Sequence, residues 1–284
     1  MSTILQLIYS AIIGLIQGIS EWLPISSKTQ IIVSSSYLLK LSFQRAYTFG
    51  LFMEIGTIIA AVVYFRKELI EMIQALLGSK NHAYRKLLVY VVVVTLVTGI
   101  IGAPLYVVTD SVKTGIAVGI PMLILGLVLL ADAGFIRYSR KRREKGMISR
   151  KLENFTLRDY LLIGIAQGIA ALPGVSRSGM TTSAMLLMNV EPDEAFRLSF
   201  LAGIFASLGA FALTLVTTKS NVAAAVAGIG LTGLALAIIV STVVSLFLID
   251  FLIKVAGKSK IIYLTSLLGI IAMASGLLYL AIGL

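Results

Sequence analysis

Long apolar runs alternate with short polar, mostly basic segments along the whole chain. Six runs approach the roughly 20 residues that cross a bilayer core, at 46–65, 87–108, 115–136, 194–217, 222–249 and 261–283, and each predicts a spanning helix. Two regions break this pattern. Apolar arms at 4–23 and 30–39 flank one polar, Pro-containing interruption, and arms at 160–172 and 178–190 flank another. Three of these arms are too short to span, so each pair predicts a re-entrant helical hairpin that enters and leaves on one side. Ten full spans are the alternative, with several of them too short.

The two interruptions echo one another. Gln17-Gly18-Ile19, Leu23-Pro24 and Ser27-Lys28-Thr29 reappear as Gln167-Gly168-Ile169, Leu172-Pro173 and Ser176-Arg177-Ser178. We match Ser27 with Ser176 and Lys28 with Arg177. At that offset Ala46-Tyr47 falls on Ala195-Phe196, and Ile55 on Ile204. The chain therefore divides into a first repeat, 1–142, and a second, 143–284, each a hairpin plus three spans. Because three is odd, the second repeat enters the membrane upside down. The expected fold is an all-α integral membrane protein of two inverted-topology repeats, with the hairpin tips meeting near the midplane, where such repeats place binding sites.

Composition agrees. The 284 residues are 58% hydrophobic and 13% charged, with mean hydropathy +0.99, so lipid must solvate most of the surface. The first apolar run lacks a cleavage-like site and carries Glu21, and reads as mature protein. With no cysteine there is neither a disulfide nor a thiolate ligand. A net charge of +11 would suggest nucleic acid in a soluble protein, but here Lys and Arg gather in the loops 66–86, 137–158 and 250–260. Those loops read as cytoplasmic, and no nucleic-acid partner is expected. The loops at 109–114 and 218–221 carry only Lys113 and Lys219 and read as external. Both termini and the first hairpin's mouth then face outward, in a multi-pass protein of the cell membrane. The Arg140–Lys145 cluster suits anionic headgroups.

A charge at membrane depth costs from about 3 to over 10 kcal/mol unless it pairs, meets water or meets a ligand. Glu21, Lys28 and Arg177 sit beside the interruptions. A purely structural Glu–Arg lock between hairpins would keep them there. The surroundings favour a site: Ser26, Ser27, Thr29, Ser176, Ser178, Thr181 and Thr182 supply hydroxyls, Gly174 and Gly179 allow close approach, and a helix starting at Ser178 would present free amides. Such a set binds an anion, with phosphate the natural guest. Glu21 would repel phosphate, so its presence suggests a base or a metal ligand. Ser26 and Ser27 from one hairpin, and Ser176 and Ser178 from the other, are all candidate nucleophiles. Glu54, mid-span, is a second carboxylate for a metal beside Glu21, or a hydrogen-bonded acid between helices.

Other polar residues have plainer readings. His82, the single histidine, lies in a polar loop; Asp132 and Asp250 lie near span ends, where interfacial solvation suffices. Glu191, Asp193, Glu194 and Arg197 read as a solvated helix start with Pro192 in its first turn. Trp22 either lines a lipid cleft or packs. The Gly-rich run 223–235 marks close helix packing or a homodimer face.

The stretches Gln17 to Ser27 and Pro173-Gly174-Val175-Ser176-Arg177-Ser178-Gly179-Met180-Thr181 resemble the two signatures of the undecaprenyl-diphosphatase (bacitracin-resistance) family. The resemblance implies hydrolysis of a polyprenyl diphosphate, of undecaprenyl or dolichyl type, to the monophosphate and inorganic phosphate. It also implies stimulation by a divalent cation such as Mg²⁺ or Ca²⁺, with membrane lipids as the surroundings. Carried over by position, Glu21 is the catalytic carboxylate, Gln17 the first motif residue, and Ser27 a nucleophile or phosphate ligand. Arg177 grips the diphosphate, with Ser176, Ser178 and Thr181 as donors. The family's first turn continues through Gly to His; this chain has Thr29 and Gln30 there, with Lys28 before them. Gln30 cannot transfer a proton, so if the family needs that His this chain either assigns the work to Glu21 and a metal-bound water or has lost it, while Lys28 adds a phosphate-binding cation. A transporter or flippase without hydrolysis is the rival, since broken inverted repeats also serve alternating access.

Overall fold

The computed structural model describes residues 3–23, 25–40, 43–111, 119–143, 149–172, 174–217, 219–256, 258 and 260–281. Among them the secondary structure is helical, with one isolated bridge between Arg150 and Val190. The first hairpin is α1 (Thr3–Ser20) and α2 (Ser27–Leu39). Then come α3 (Phe43–Tyr64), α4 (Arg66–Leu76), α5 (His82–Ser111) and α6 (Gly119–Arg143). The second hairpin is α7 (Leu157–Ile169) and α8 (Arg177–Leu187), followed by α9 (Pro192–Thr217), α10 (Lys219–Ala256) and α11 (Ile261–Ala281). Glycine permits a break within α10 at Gly230, where φ is 70° and ψ 167°.

Among the described residues four helices are long and apolar enough to cross a membrane: His82–Val108, Pro192–Leu213, Gly230–Ala256 and Ile261–Ala281. The other two expected spans coincide with α3 and α6, whose side chains are described only in part. The protein is an all-α, multi-pass membrane protein. Helices α2 and α7 have 13 residues and α8 has 11. At about 1.5 Å per residue they reach under about 20 Å, short of the roughly 30 Å hydrocarbon core.

The halves interleave. Helix α1 packs on α10, α10 on α3, α6 on α11, α5 on α7, and α3 on α9. Small residues allow the α1–α10–α3 approach. A methyl group on Gly14 would lie 2.5 Å from the Ala237 carbonyl oxygen, and one on Gly56 1.8 Å from Ser241 Oγ. Large apolar side chains on the outer faces, among them Ile100, Phe247 and Leu278, are exposed and suit lipid. Inside, Trp22 is buried and packs edge-on against Phe200, ring centroids 5.0 Å apart, so it packs rather than lining a cleft.

Two expectations change. The segment 66–86 is not all loop, because α4 occupies its first part. Arg66, Lys67, Glu68 and Glu71 keep α4 too polar to span, yet Ile70, Ile73 and Leu76 give it an exposed apolar face. Asp132 is not solvated at an interface. It is 1% exposed where α6 packs on α8, and its Oδ2 accepts a hydrogen bond from Ser183. His82 opens α5 and is exposed. At the start of α7, Thr156 donates from its backbone and hydroxyl to Asp159, while Arg150 donates to Asp159 Oδ1 at 3.1 Å and Oδ2 at 2.7 Å. Burial pushes the Asp159 carboxyl up, but these hydrogen bonds outweigh it and hold the group below the ordinary aspartate value.

Candidate active site

Each hairpin turns through a short non-helical tip, residues 21–26 in the first and 170–176 in the second. Pro24 and Pro173, expected at the breaks, lie outside the described residues. A serine then restarts the helix. Ser26 Oγ accepts from the Thr29 amide at 3.4 Å, and Ser176 Oγ from the Gly179 amide at 3.2 Å, filling orphan donors of α2 and α8. The caps thus pair Ser26 with Ser176 and Ser27 with Arg177, one residue away from the match read in the sequence. The second tip is one residue longer, and Gly174 sits there at φ 84°, a left-handed conformation that favours glycine.

The tips touch. Ser178 Oγ lies 3.1 Å from the Leu23 carbonyl and 3.3 Å from that of Glu21, and Ser176 Oγ lies 3.4 Å from the Leu23 carbonyl. Across this joint Arg177 Nη2 pairs with Glu21 Oε1. The second oxygen of Glu21 accepts from Ser27 Oγ at 2.8 Å and from Gln17 Nε2 at 3.0 Å. Glu21 is 6% exposed and Gln17 1%, so these contacts form out of water, where charge-assisted hydrogen bonds are strong.

Helix α9 supplies what sequence reasoning missed. Arg177 Nη1 donates to the Gly203 carbonyl at 2.8 Å and to Ser207, and Ser207 in turn donates to Glu54. Glu54 Oε2 lies 3.8 Å from Arg177 Nη1. The guanidinium therefore bridges both carboxylates. Lys28 Nζ donates to the Ala170 carbonyl at 3.2 Å. Glu21, Glu54, Lys28 and Arg177 together balance two formal negative charges against two positive ones. Ser207 is a lone hydroxyl in an apolar run, and the Gly203 contact is a backbone carbonyl; neither has a local motif.

A cavity of about 500 Å³ opens beside this cluster. Glu21, Ser27, Lys28, Glu54, Ser176 and Arg177 form part of its wall, and the rest is mostly apolar surface of α5 and α9. Other expected ligands face elsewhere. Ser26 is a helix cap, Ser178 binds the opposite tip, and Thr181 is fully buried, donating to the Arg177 carbonyl at 2.9 Å and paired with Ser199. Gln30 lies on α2 and is not among the lining residues.

Among the described residues no group of three or more acidic or imidazole side chains could hold a metal. Glu21 and Glu54, each paired with Arg177, both line the cavity and are the carboxylates that would contribute oxygens to a hard cation such as Mg²⁺ held there.

Comparison with known proteins places the chain in a family. The family described as bacitracin resistance protein BacA matches residues 10–274. An undecaprenyl-diphosphatase of Saccharolobus solfataricus is 49% identical over 275 residues, covering 96% of each chain. Relatives of the same description from Sulfurisphaera tokodaii and Pyrobaculum aerophilum are 44% and 40% identical over 272 and 270 residues, each covering 95% of this chain and 97% of the relative. By the extent of that match, this chain belongs to the bacitracin resistance protein BacA family.

Proposed function

We propose that this chain is a membrane phosphatase that removes the terminal phosphate of a polyprenyl diphosphate, of undecaprenyl or dolichyl type, releasing the lipid monophosphate and inorganic phosphate. One observation carries the reading: a hydroxyl, a carboxylate and a guanidinium (Ser27, Glu21 and Arg177) converge at the polar end of a largely apolar cavity. The described name of its relatives supports the same substrate class.

The tail would lie between α5 and α9, along Gly99, Gly102 and Ala103 on one side and Ala206, Gly209 and Leu213 on the other. The diphosphate would then reach the tips. Its charge draws the guanidinium of Arg177 toward the phosphoryl oxygens, which frees Glu21 to act as base. Ser27 Oγ, already bonded to Glu21 Oε2, gives its proton to that oxygen and attacks the terminal phosphorus. The Oγ–P bond forms as the bridging P–O bond breaks, and Glu21 passes the proton to the departing lipid phosphate. Glu21 next takes a proton from water, the resulting hydroxide attacks the phosphoserine, and Ser27 leaves with the proton returned by Glu21. Arg177 and Lys28 stabilise the charge on the transferred group, the main catalytic contribution in phosphoryl transfer.

The local charges cancel before substrate arrives, so a bound diphosphate adds net negative charge. A divalent cation bound by Glu54 and Glu21 would offset that charge. The basic segments 66–86, 137–158 and 250–260, read as cytoplasmic, support an active site that opens to the outer face, with both termini on that side.

The test is phosphate release by the full-length protein in liposomes, from undecaprenyl and dolichyl diphosphates, with and without chelator. Release from at least one lipid is expected, reduced by the chelator. No release from any lipid, with or without added divalent cation, overturns the reading.

A further inference from the structure

The mechanism leaves two polar groups on the cavity wall without work. Gln167, the counterpart of Gln17 in the second repeat, is 2% exposed and lines the cavity. Thr98 Oγ1 holds its Oε1 at 2.8 Å, while its Nε2 has no hydrogen-bond partner. Thr95, one turn before Thr98 on α5, also lines the cavity, and its buried Oγ1 has no partner either. A buried polar atom left unpaired is costly, so each of these calls for a partner. Gln17 bonds Glu21, so the equivalent position in the other repeat has been left open.

Their position says what they would bind. On α5 the lining residues run Thr95, Thr98, Gly99, Gly102, Ala103 and Tyr106, polar at one end and mostly apolar beyond. On α9, Gly203 and Ser207, which hold Arg177, precede the apolar Gly209, Ala210 and Leu213. A lipid in this track has its first phosphate where the apolar walls end, between the tail and the Glu21–Arg177 cluster. Ala170, whose carbonyl binds Lys28, follows Gln167 by three residues and brings a cation to the same wall.

We propose that Gln167 Nε2 and Thr95 Oγ1 form a subsite for the phosphate that stays on the lipid, separate from the place of the transferred phosphate. This rests on the polyprenyl-diphosphate reading. The subsite would grip both the substrate and the lipid monophosphate product, and would not contact free inorganic phosphate at the reactive end.

The experiment compares wild type, Thr95→Val and Gln167→Leu, on separate helices, using labelled polyprenyl diphosphate. Polyprenyl monophosphate and inorganic phosphate serve as competing inhibitors, and the thermal shift induced by the monophosphate is recorded as a readout that needs no turnover. Each substitution is expected to weaken inhibition by the monophosphate about tenfold, the scale of one charge-assisted hydrogen bond, and to leave inhibition by inorganic phosphate within about twofold. Equal weakening for both inhibitors, weakening for inorganic phosphate alone, or no weakening in either variant overturns the subsite. The two readings fail separately. If wild type releases no phosphate but only wild type is stabilised by the monophosphate, the function falls and the subsite stands. Normal turnover with unchanged monophosphate affinity in both variants gives the reverse.

Discussion

The two hairpin tips share a scaffold and differ in chemistry. In both, a serine caps a short second arm and the next residue is the first of the new helix. In the first tip that residue is Ser27, a hydroxyl held by a carboxylate; in the second it is Arg177, a cation held between two carboxylates. Glu21 belongs to the first tip alone. Glu54 of α3 has Gly203 of α9 as its counterpart at the offset that matches Ile55 to Ile204. That exchange sets a glycine against the guanidinium, where a methyl group would make ordinary contact at 3.4 Å from Arg177 Cζ, and it turns a carboxylate position into a backbone acceptor. The two tips end and restart a helix in the same way, and the reactive groups are distributed unequally over them.

The comparison breaks first at its two unlike residues. Ser27→Ala and Arg177→Ala should each lower turnover about a thousandfold or more in the phosphate-release assay, the scale of a lost phosphoryl-stabilising arginine. They should part company in stability. Arg177→Ala leaves buried Glu21 and Glu54 without their cation and should cost about 3–5 kcal/mol in denaturant unfolding, whereas Ser27→Ala should cost about 1 kcal/mol or less. Equal stability losses would remove the asymmetry. Glu21→Gln keeps the shape of the first tip and loses the base, so activity should fall about a hundredfold or more. Ser207→Ala touches only the support of Arg177 and Glu54; a fall of about tenfold is expected, the worth of one buried hydrogen bond to a charged group. The shared scaffold is probed by Ser26→Ala and Ser176→Ala, each expected to cost about 1 kcal/mol as lost caps, with similar drops in melting temperature. The smallest effect lies at the base of the second hairpin. Asp159 is held below its ordinary value, so its contribution is present above the unfolded-state value and is lost as pH falls through the folded one. Asp159→Asn should therefore flatten the acid side of the stability profile and leave its slope above neutrality unchanged.

Much of this was legible because lipid makes polarity conspicuous. A carboxylate, a guanidinium and a lysine in apolar arms cannot hide, and Glu21, Lys28 and Arg177 do line one cavity. The one-residue register was not legible. Ser26-Ser27 offers two partners for Ser176, and only the cap geometry, with the extra residue taken up around Gly174, selects between them. Hydroxyl direction was equally hidden. Ser178 and Thr181 lie within the second motif, yet they bind backbone carbonyls, because a hydroxyl near a helix start can face a ligand or the chain. Asp132 was misplaced because position along a span does not reveal which neighbour covers it. Helix α4 does not stand out in the sequence because it is short and amphipathic, with Arg66, Lys67, Glu68 and Glu71 interrupting its apolar face.

The even balance of Glu21, Glu54, Lys28 and Arg177 bears on what the protein ignores. An electrically quiet pocket walled by hydrocarbon offers no long-range pull on nucleotides or pyrophosphate dissolved nearby. On the proposed reading, recruitment would be left to the greasy end of the molecule, and selectivity against soluble phosphate esters would come from the route of entry before any contact at phosphorus is made.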